Sequence, residues 1–283
     1  MAVEYLNDGA TTMADAQWSG GTGFATANST LVVSSGNQQL ITGYDNSADT
    51  DNGLYLRIEK PFTGNIGTAA NPLITTFSDG TAGQKTSANT EGYLFYGAGG
   101  GSLFVKFDSG AAPLPDVCDN LIIDTGGYCG VIGGTVAFLD LINGRCDING
   151  ATTVTTANIR NGILNIDAKG AGGNVTTMNV YGGTVFVNRP VATLNVYGGT
   201  VIMQNTTATA TTTVNQYGGT VIWLAASVTT VNQFQGSFDF SGLQKAATFT
   251  TWNRGPLAVR KGTLLNGQLT VTNDIAVPIA GAA

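Results

Sequence analysis

The stretch Asn179-Val180-Tyr181-Gly182-Gly183-Thr184-Val185 decides the fold, because the chain repeats it. It returns at Asn195–Val201 and at Asn215–Val221, and a degraded copy follows at Asn232–Phe238. Successive copies are 16, 20 and 17 residues apart. Partial copies stand upstream at Asp140–Gly144 and Asn158–Ile163, and downstream at Trp252–Leu257. A repeat of this length indicates a solenoid.

Each repeat holds two or three short segments rich in Thr, Val, Ile and Tyr, which favour extended chain and are too short for helices. The Gly-Gly pair permits positive φ, so it can turn the chain at one recurring corner. Leucine-rich repeats need a consensus that is absent here, and propeller blades need about 40 residues. Left-handed β-helices follow a stricter hexapeptide rhythm. The sequence therefore predicts an all-β, right-handed parallel β-helix with an irregular β-rich N-terminal region.

Stacked rungs would bring equivalent residues of successive repeats into columns. The spacing predicts one column of asparagines and one of aromatic rings, and such ladders support one another. The asparagines are Asn179, Asn195, Asn215 and Asn232, and the rings are Tyr181, Tyr197, Tyr217 and Phe234. We expect the rings to point inward as part of the core; pointing outward, they would form a sugar-binding stripe instead.

Three parts follow from the distribution of the repeat: an irregular β-rich arm and cap or attachment region at 1–115, β-helix rungs at 116–256, and a capping or subunit-contact segment at 257–283. The first part is either a set of wider rungs or a separate cap, and Ala2–Phe24 reads as an extended arm. Gly97–Gly101 reads as a hairpin or a rung corner. Its predicted strands are Thr30–Val33, Gln39–Thr42, Leu54–Glu59, Gly92–Tyr96 and Ser102–Phe107.

The composition excludes several classes of protein. The chain has 283 residues, 40 of them Gly, no His, and 11% charged residues against about 25% in ordinary domains. Without His there is no His-based triad, metal site or imidazole acid–base chemistry. No apolar run is long enough for a membrane helix, and no signal peptide is visible at the start. The net charge of -6 argues against nucleic acid as a partner.

Charge is unevenly distributed along the chain. Residues 1–124 hold 13 acids and 4 bases, whereas residues 125–283 hold 5 acids and 8 bases. This asymmetry of charge would favour directional docking or subunit contacts. Acidic loops that only face solvent would produce the same asymmetry. Cys118, Cys129 and Cys146 match no zinc or redox spacing. We expect reduced thiols that act as small buried hydrophobic residues.

Candidate sites for chemistry are weak. Gly20–Gly23 and Gly97–Gly101 lack the following helix or lysine that phosphate binding requires, so turns are expected. Asp45–Gly53 is rich in oxygen ligands, but it lacks the glutamate that closes an EF-hand and reads as a polar loop.

Paired carboxylates for glycan hydrolysis are the remaining possibility. They would need to face each other about 5–9.5 Å apart in a groove. The acids in or near predicted strands are Glu59, Glu91, Asp140, Asp147 and Asp167, and Arg145, Arg160 and Arg189 are too scattered for a lyase base. We expect structural roles for these acids, and we predict no catalytic, cofactor-binding or metal residue.

The Asn-x-Tyr-Gly-Gly-Thr rungs, together with the opening segments Val3–Gly9 and Ala16–Phe24, resemble small β-helical proteins of tailed bacteriophages. Those proteins are encoded beside the major capsid protein and are thought of as trimeric cement or decoration proteins on the outer head. The resemblance implies a non-enzymatic structural protein of the virion, assembled in the host cytoplasm and located on the capsid surface. Its implied partners are the major capsid protein and two further copies of the chain, with no cofactor, nucleic acid or membrane.

Two other functions remain open at this stage. The first is a tail spike or fibre that binds, and possibly cleaves, host polysaccharide, and the second is a bacterial surface adhesin, which would need export. The less regular segments Met1–Phe24 and Leu257–Ala283 are the predicted sites of capsid and trimer contacts.

Overall fold

Neighbouring strands pair in parallel and in register, as the repeat predicts, and the chain is an all-β parallel β-helix. The computed structural model describes residues 3–23, 30–40, 55–75, 92–108, 117–167, 173–204, 211–225, 227–243, 246–262 and 269–277. Two compact units share these residues, one formed by residues 1–155 with 169–173 and the other by 156–168 with 174–283. Among the described residues, no helix has the length and apolar character needed to cross a bilayer.

Ten strands lie in the first unit, and an eleventh, β11 (Thr153–Ile159), begins there and ends in the second. They are β1 (Val3–Tyr5), β2 (Thr30–Val33), β3 (Gln39–Leu40), β4 (Tyr55–Ile58), β5 (Asn65–Ile66), β6 (Leu73–Thr75), β7 (Tyr93–Tyr96), β8 (Ser102–Phe107), β9 (Val117–Val131) and β10 (Thr135–Ile148). Strands β1, β2, β4, β7 and β9 pair in succession, and so do β3, β5, β8 and β9.

The described strands of the irregular N-terminal part therefore form parallel rungs. Strands β7 and β8 each pair with strands of other rungs, so Gly97–Gly101 is a rung corner and not a hairpin. The N–H of Gly97 donates to the carbonyl of Ile58 at 2.7 Å, which ties this corner to the neighbouring rung. The boundary predicted between residues 115 and 116 lies outside the described residues.

The second unit contains the regular repeat. Its strands are β12 (Ile163–Ile166), β13 (Val175–Val180), β14 (Thr184–Val187), β15 (Val191–Val196), β16 (Thr200–Met203), β17 (Thr211–Gln216), β18 (Thr220–Trp223), β19 (Val228–Asp239), β20 (Ala247–Lys261) and β21 (Leu269–Ala276). Strands β13, β15, β17, β19, β20 and β21 pair in succession on one face. Strands β12, β14, β16, β18 and the end of β19 do so on the next face.

Apolar columns fill the interior of this unit. Along each strand alternate residues point inward, so equivalent positions of successive rungs stack on one another. Residues such as Leu194, Val201 and Val221 have no exposed surface. At the last rungs the column becomes aromatic, with Trp223, Phe238, Phe249 and Trp252 in mutual ring contact. Burial of this kind contributes roughly 1.5–3 kcal/mol per large side chain.

Residues 3–23 fold back on themselves beside the first rung. They do not form the extended arm that the sequence suggested. Met13 and Trp18 are buried, and the indole Nε1 of Trp18 donates to the carbonyl of Met13 at 3.1 Å. Leu6 forms an isolated antiparallel bridge with Trp18, which folds the segment back on itself. The apolar residues of this segment are better buried over the open end of the core than left in water, so they form a terminal cap.

The carboxylate of Glu4 holds this cap in place. It accepts hydrogen bonds from the N–H groups of Gly20 and Gly23, both at 3.1 Å, and from the hydroxyl of Thr22. Burial opposes its ionisation, but these hydrogen bonds outweigh burial and lower the pKa of Glu4. The glycine-rich turn thus forms an anion-binding concavity that the protein fills with its own carboxylate.

An ion cluster covers the core at the last rungs. Asp274 Oδ1 lies 2.6 Å from Arg254 Nε and 2.8 Å from Arg260 Nη2, and the Arg260 guanidinium lies over the Trp252 ring at 3.9 Å. Partial burial opposes ionisation of Asp274, but the two arginines outweigh it and lower the pKa of this carboxyl. Strand β20 continues across the boundary predicted between the rungs (116–256) and the C-terminal segment (257–283). Arg254, Arg260 and Asp274 therefore all lie on the paired strands β20 and β21.

Replacing Glu4 with Gln should destabilise the N-terminal cap. Because the native pKa is below the ordinary value of 4.5, the stabilisation by the carboxylate is complete above 4.5 and is lost as pH falls through the native pKa. We expect Glu4→Gln to lower the free energy of unfolding by about 1–3 kcal/mol at neutral pH. The difference should shrink below pH 4.5. Urea unfolding followed by tryptophan fluorescence measures it.

Glu59→Gln is the matched control for this prediction. It removes a partly exposed surface ion pair with Arg57, and it should change the free energy of unfolding by less than about 1 kcal/mol. A difference between wild type and Glu4→Gln that stays constant down to low pH would contradict the assigned role of the carboxylate.

Candidate functional site

The largest ordered surface feature of the second unit is a set of three parallel columns, which we call the ladder face. The threonine column follows the stacked strands β13, β15, β17, β19 and β20, one residue per rung. The asparagine column also includes a residue of β11, and the aromatic column begins just after β13 and ends on β19. The columns are threonines (Thr177, Thr193, Thr213, Thr230, Thr251), asparagines (Asn158, Asn179, Asn195, Asn215, Asn232, Asn253) and aromatic rings (Tyr181, Tyr197, Tyr217, Phe234).

The asparagine column is a continuous chain of hydrogen bonds, which confirms the predicted ladder. Asn179 Nδ2 donates to Asn158 Oδ1 at 2.9 Å, and each later asparagine donates to the one before it at 2.7–2.8 Å. The partial copies at Asn158 and Asn253 join the ladder, so both belong to the repeat. Because the amide groups are half-buried and satisfied by one another, the ladder also fixes the register of the strands.

The aromatic column stacks as predicted, but it points outward and not into the core. Neighbouring ring centroids are 5.0 Å apart, with interplanar angles of 6°, 7° and 13°. The four side chains keep 38–49% of their surface exposed. The alternation of the strand gives the reason: Val180 points inward, so Tyr181 points outward with Asn179.

Glycine is required at the corner beside each tyrosine, because two backbones approach closely there, whereas Gln235 follows Phe234. A Cβ atom on Gly198 would lie 2.4 Å from the carbonyl oxygen of Tyr181, and one on Gly218 would lie 2.5 Å from that of Tyr197. The following residue, Gly199 or Gly219, has φ near +70° (+71° and +65°), which other residues adopt only with strain. The corner thus places every ring directly over the previous one.

A second outward feature lies in the first unit. A surface pocket of about 240 Å³ is lined by Arg57, Tyr93, Phe95 and Ile122, which come from three successive strands. Arg57 Nη2 lies 3.2 Å from Glu59 Oε1, so the charge of this arginine is already balanced.

The acids considered for glycan hydrolysis are held by other groups. Asp147 accepts two hydrogen bonds from Arg145, both at 3.0 Å, and one from the Tyr128 hydroxyl at 3.2 Å. Burial, then the Asp147 charge, raises the pKa of Tyr128. Glu59 is paired with Arg57 of its own strand, as Asp147 is with Arg145.

Of the other three acids, two lie within the described residues. Asp140 lies outward on β10, in register with Ile122 of β9. Asp167 follows β12, and its backbone carbonyl accepts a hydrogen bond from Arg189 Nε. Glu91 and the polar loop Asp45–Gly53 lie outside the described residues.

The three cysteines are free and buried, as expected for small core residues. Cys129 and Cys146 occupy equivalent positions on β9 and β10. Burial raises the pKa of Cys118, which keeps this thiol protonated. In the part of the chain that the structure describes, no three His, Cys, Asp or Glu residues are placed so that they could hold a metal ion.

Comparison of the chain with protein-family models, with curated proteins and with solved structures found no match.

The asparagine ladder predicts a position-dependent cost of mutation. Asn195→Ala removes one hydrogen bond to Asn179 and one from Asn215, whereas Asn253→Ala removes only the described bond to Asn232. We expect Asn195→Ala to lower the free energy of unfolding by about 1–3 kcal/mol and Asn253→Ala by about half as much. Chemical denaturation measures both, with Thr193→Ala on the same strand as control. Equal effects at the two asparagines would contradict a continuous ladder.

Proposed function

We propose that this protein is a non-enzymatic structural protein of a bacteriophage virion, a cement or decoration protein that binds the outer capsid and assembles as a homotrimer. The observation that carries the proposal is an apolar surface at the last rungs, on the segment predicted for subunit contacts. We call it the C-terminal patch, and its residues are Leu257, Val259, Ile275 and Val277, which are 38–68% exposed.

The C-terminal patch suits contact with further copies of the chain. Strand β21 pairs with β20 alone among the described residues, so its outer edge is available. Exposed apolar side chains on one terminal segment are typical of protein interfaces. Three copies closed around an axis would bury this surface on every subunit, and closure prevents open-ended growth.

The first strand offers a second contact surface. Val3 and Tyr5 of β1 are each 52% exposed, and they lie in the other segment predicted for contacts. The acidic excess of residues 1–124 favours docking of this part against a basic surface of the capsid. A protein that binds only the assembled shell stabilises that shell by mass action.

The contacts of two of the described acids favour a binding role over a catalytic one. Glu59 and Asp147 each form an ion pair with an arginine two residues away. Both carboxylates are therefore engaged within their own segments.

The second candidate is a tail spike or fibre that binds host polysaccharide. One observation favours it: the tyrosines of the repeat point outward, as a sugar-binding stripe requires. Particle composition separates the two candidates, because a spike belongs to the tail and a cement protein to the head.

The location predicts a clear result in purified particles. Mass spectrometry of heads separated from tails should find this protein in the head fraction, in a fixed ratio to the major capsid protein. Recovery only with tails would reject the cement role and support the spike. Particles lacking the protein should lose their DNA at lower temperature than complete particles, since the shell would lack its additional contacts.

The C-terminal patch predicts the oligomeric state of the isolated protein. Leu257→Ser combined with Val259→Ser should shift the protein from trimer towards monomer in sedimentation velocity, with at least a tenfold weaker association. Phe138→Ser is the control, because Phe138 is 46% exposed but lies on β10. A wild-type protein that sediments as a monomer at high concentration would contradict the trimer.

A further inference from the structure

The ladder face lies in a long stretch of sequence that is almost free of charge. Between Lys169 and Asp239 the only charged side chain is Arg189. Arg189 is 4% exposed, and its Nε donates to the backbone carbonyl of Asp167. The described surface of β13 to β18 therefore carries no ionised side chain. Soluble proteins normally distribute charges over such a surface, so this one requires an explanation.

The columns present hydrogen-bonding groups at a constant interval. Each rung offers a threonine hydroxyl, an asparagine amide and, on three rungs, a tyrosine hydroxyl, and rungs repeat at about 4.8 Å. The faces of Tyr197 are covered by Tyr181 on one side and Tyr217 on the other. Solvent therefore reaches ring edges and their hydroxyl groups. A ligand on this surface would therefore be bound by hydrogen bonds along the row of hydroxyl groups. It could not stack a ring on the face of each tyrosine.

We propose that the ladder face binds an uncharged, hydroxyl-rich polysaccharide lying along the columns. A repeating chain can meet one set of donors and acceptors on each rung, so weak contacts add over several sugar units. A neutral ligand matches the part of this face on β13 to β18, which has no ionised side chain, whereas the flanking rungs of β11 and β20 carry Arg160 and Arg254. A charged ligand would lose hydration on β13 to β18 without gaining an ion pair. The carbohydrate class thus follows from the combination of repeat, hydroxyls and missing charge.

A protein partner fits the same face less well. The cores of protein–protein interfaces are apolar and enriched in aromatic residues, Met and Arg. Two of the three columns are polar, and none contains Met or Arg, whereas the exposed apolar side chains Leu257, Val259, Ile275 and Val277 lie on the last rungs. The inference does not depend on the capsid role, because a head or a tail protein could present this face.

Affinity electrophoresis of the isolated full chain tests the proposal. The probes are three uncharged polysaccharides (glucomannan, dextran and hydroxyethyl cellulose) and two charged analogues (carboxymethyl dextran and carboxymethyl cellulose). Salt is kept high enough to screen the net charge of -6. At least one uncharged probe should retard the protein, and both carboxymethyl polysaccharides should bind at least tenfold more weakly than that probe. Failure of all three uncharged probes overturns the proposal.

A triple variant tests whether the ladder face is the binding surface. Tyr181→Phe, Tyr197→Phe and Tyr217→Phe together remove the hydroxyls, and Phe234 shows that the stack accepts phenylalanine. The dissociation constant for the retarding probe should rise at least tenfold, while Tyr5→Phe, on β1, should change it less than twofold. An unchanged constant overturns the proposal. So does a triple variant that changes only the sedimentation coefficient, which would make the face a contact between copies.

Discussion

Adjacent strands of this protein are held in parallel register by backbone hydrogen bonds about 4.8 Å apart, and everything else in the structure has to fit that spacing. Each residue lies beside its counterpart of the next rung. Like charges at this distance repel, whereas amides bond to amides and rings stack on rings. The asparagine ladder and the aromatic column are consequences of this one constraint. Columns of like charge are disfavoured for the same reason.

The constraint also explains where charges do occur. Glu4 and the Arg254–Asp274–Arg260 cluster lie at the first and last paired strands, where a residue has a different neighbour on one side. In the regular rungs the one charged side chain, Arg189, is buried and bonded to a backbone carbonyl. In the second unit, ionised groups thus hold the last described strands, and the repeated rungs rely on neutral interactions. In the first unit, Arg57–Glu59 and Arg145–Asp147 form pairs of opposite charge within single segments.

Local sequence was sufficient for the fold but not for the direction of every side chain. The spacing of Asn179, Asn195 and Asn215 predicted the ladder, because identical residues at rung intervals have one natural arrangement. The tyrosines were expected inward on account of their size. The alternation of side chains along the strand was the better indicator. Tyr181 is two residues from the outward-facing Asn179 and one from the buried Val180, so it faces outward as well. The Glu4 site was not predictable, since it joins residue 4 to residues 20–23 through a turn with no repeat.

The Gly-Gly corner is constant from rung to rung, but the number of residues per repeat varies. This variation shows where the chain tolerates a change in length. The Gly-Gly turns superpose from rung to rung, yet successive copies are 16, 20 and 17 residues apart. The difference arises in the lengths of two connections: residues 188–190 join β14 to β15, whereas residues 204–210 join β16 to β17. Both pairs of flanking strands keep their register. The β16–β17 connection is therefore a natural insertion site, at which a foreign peptide could be displayed without altering the stack.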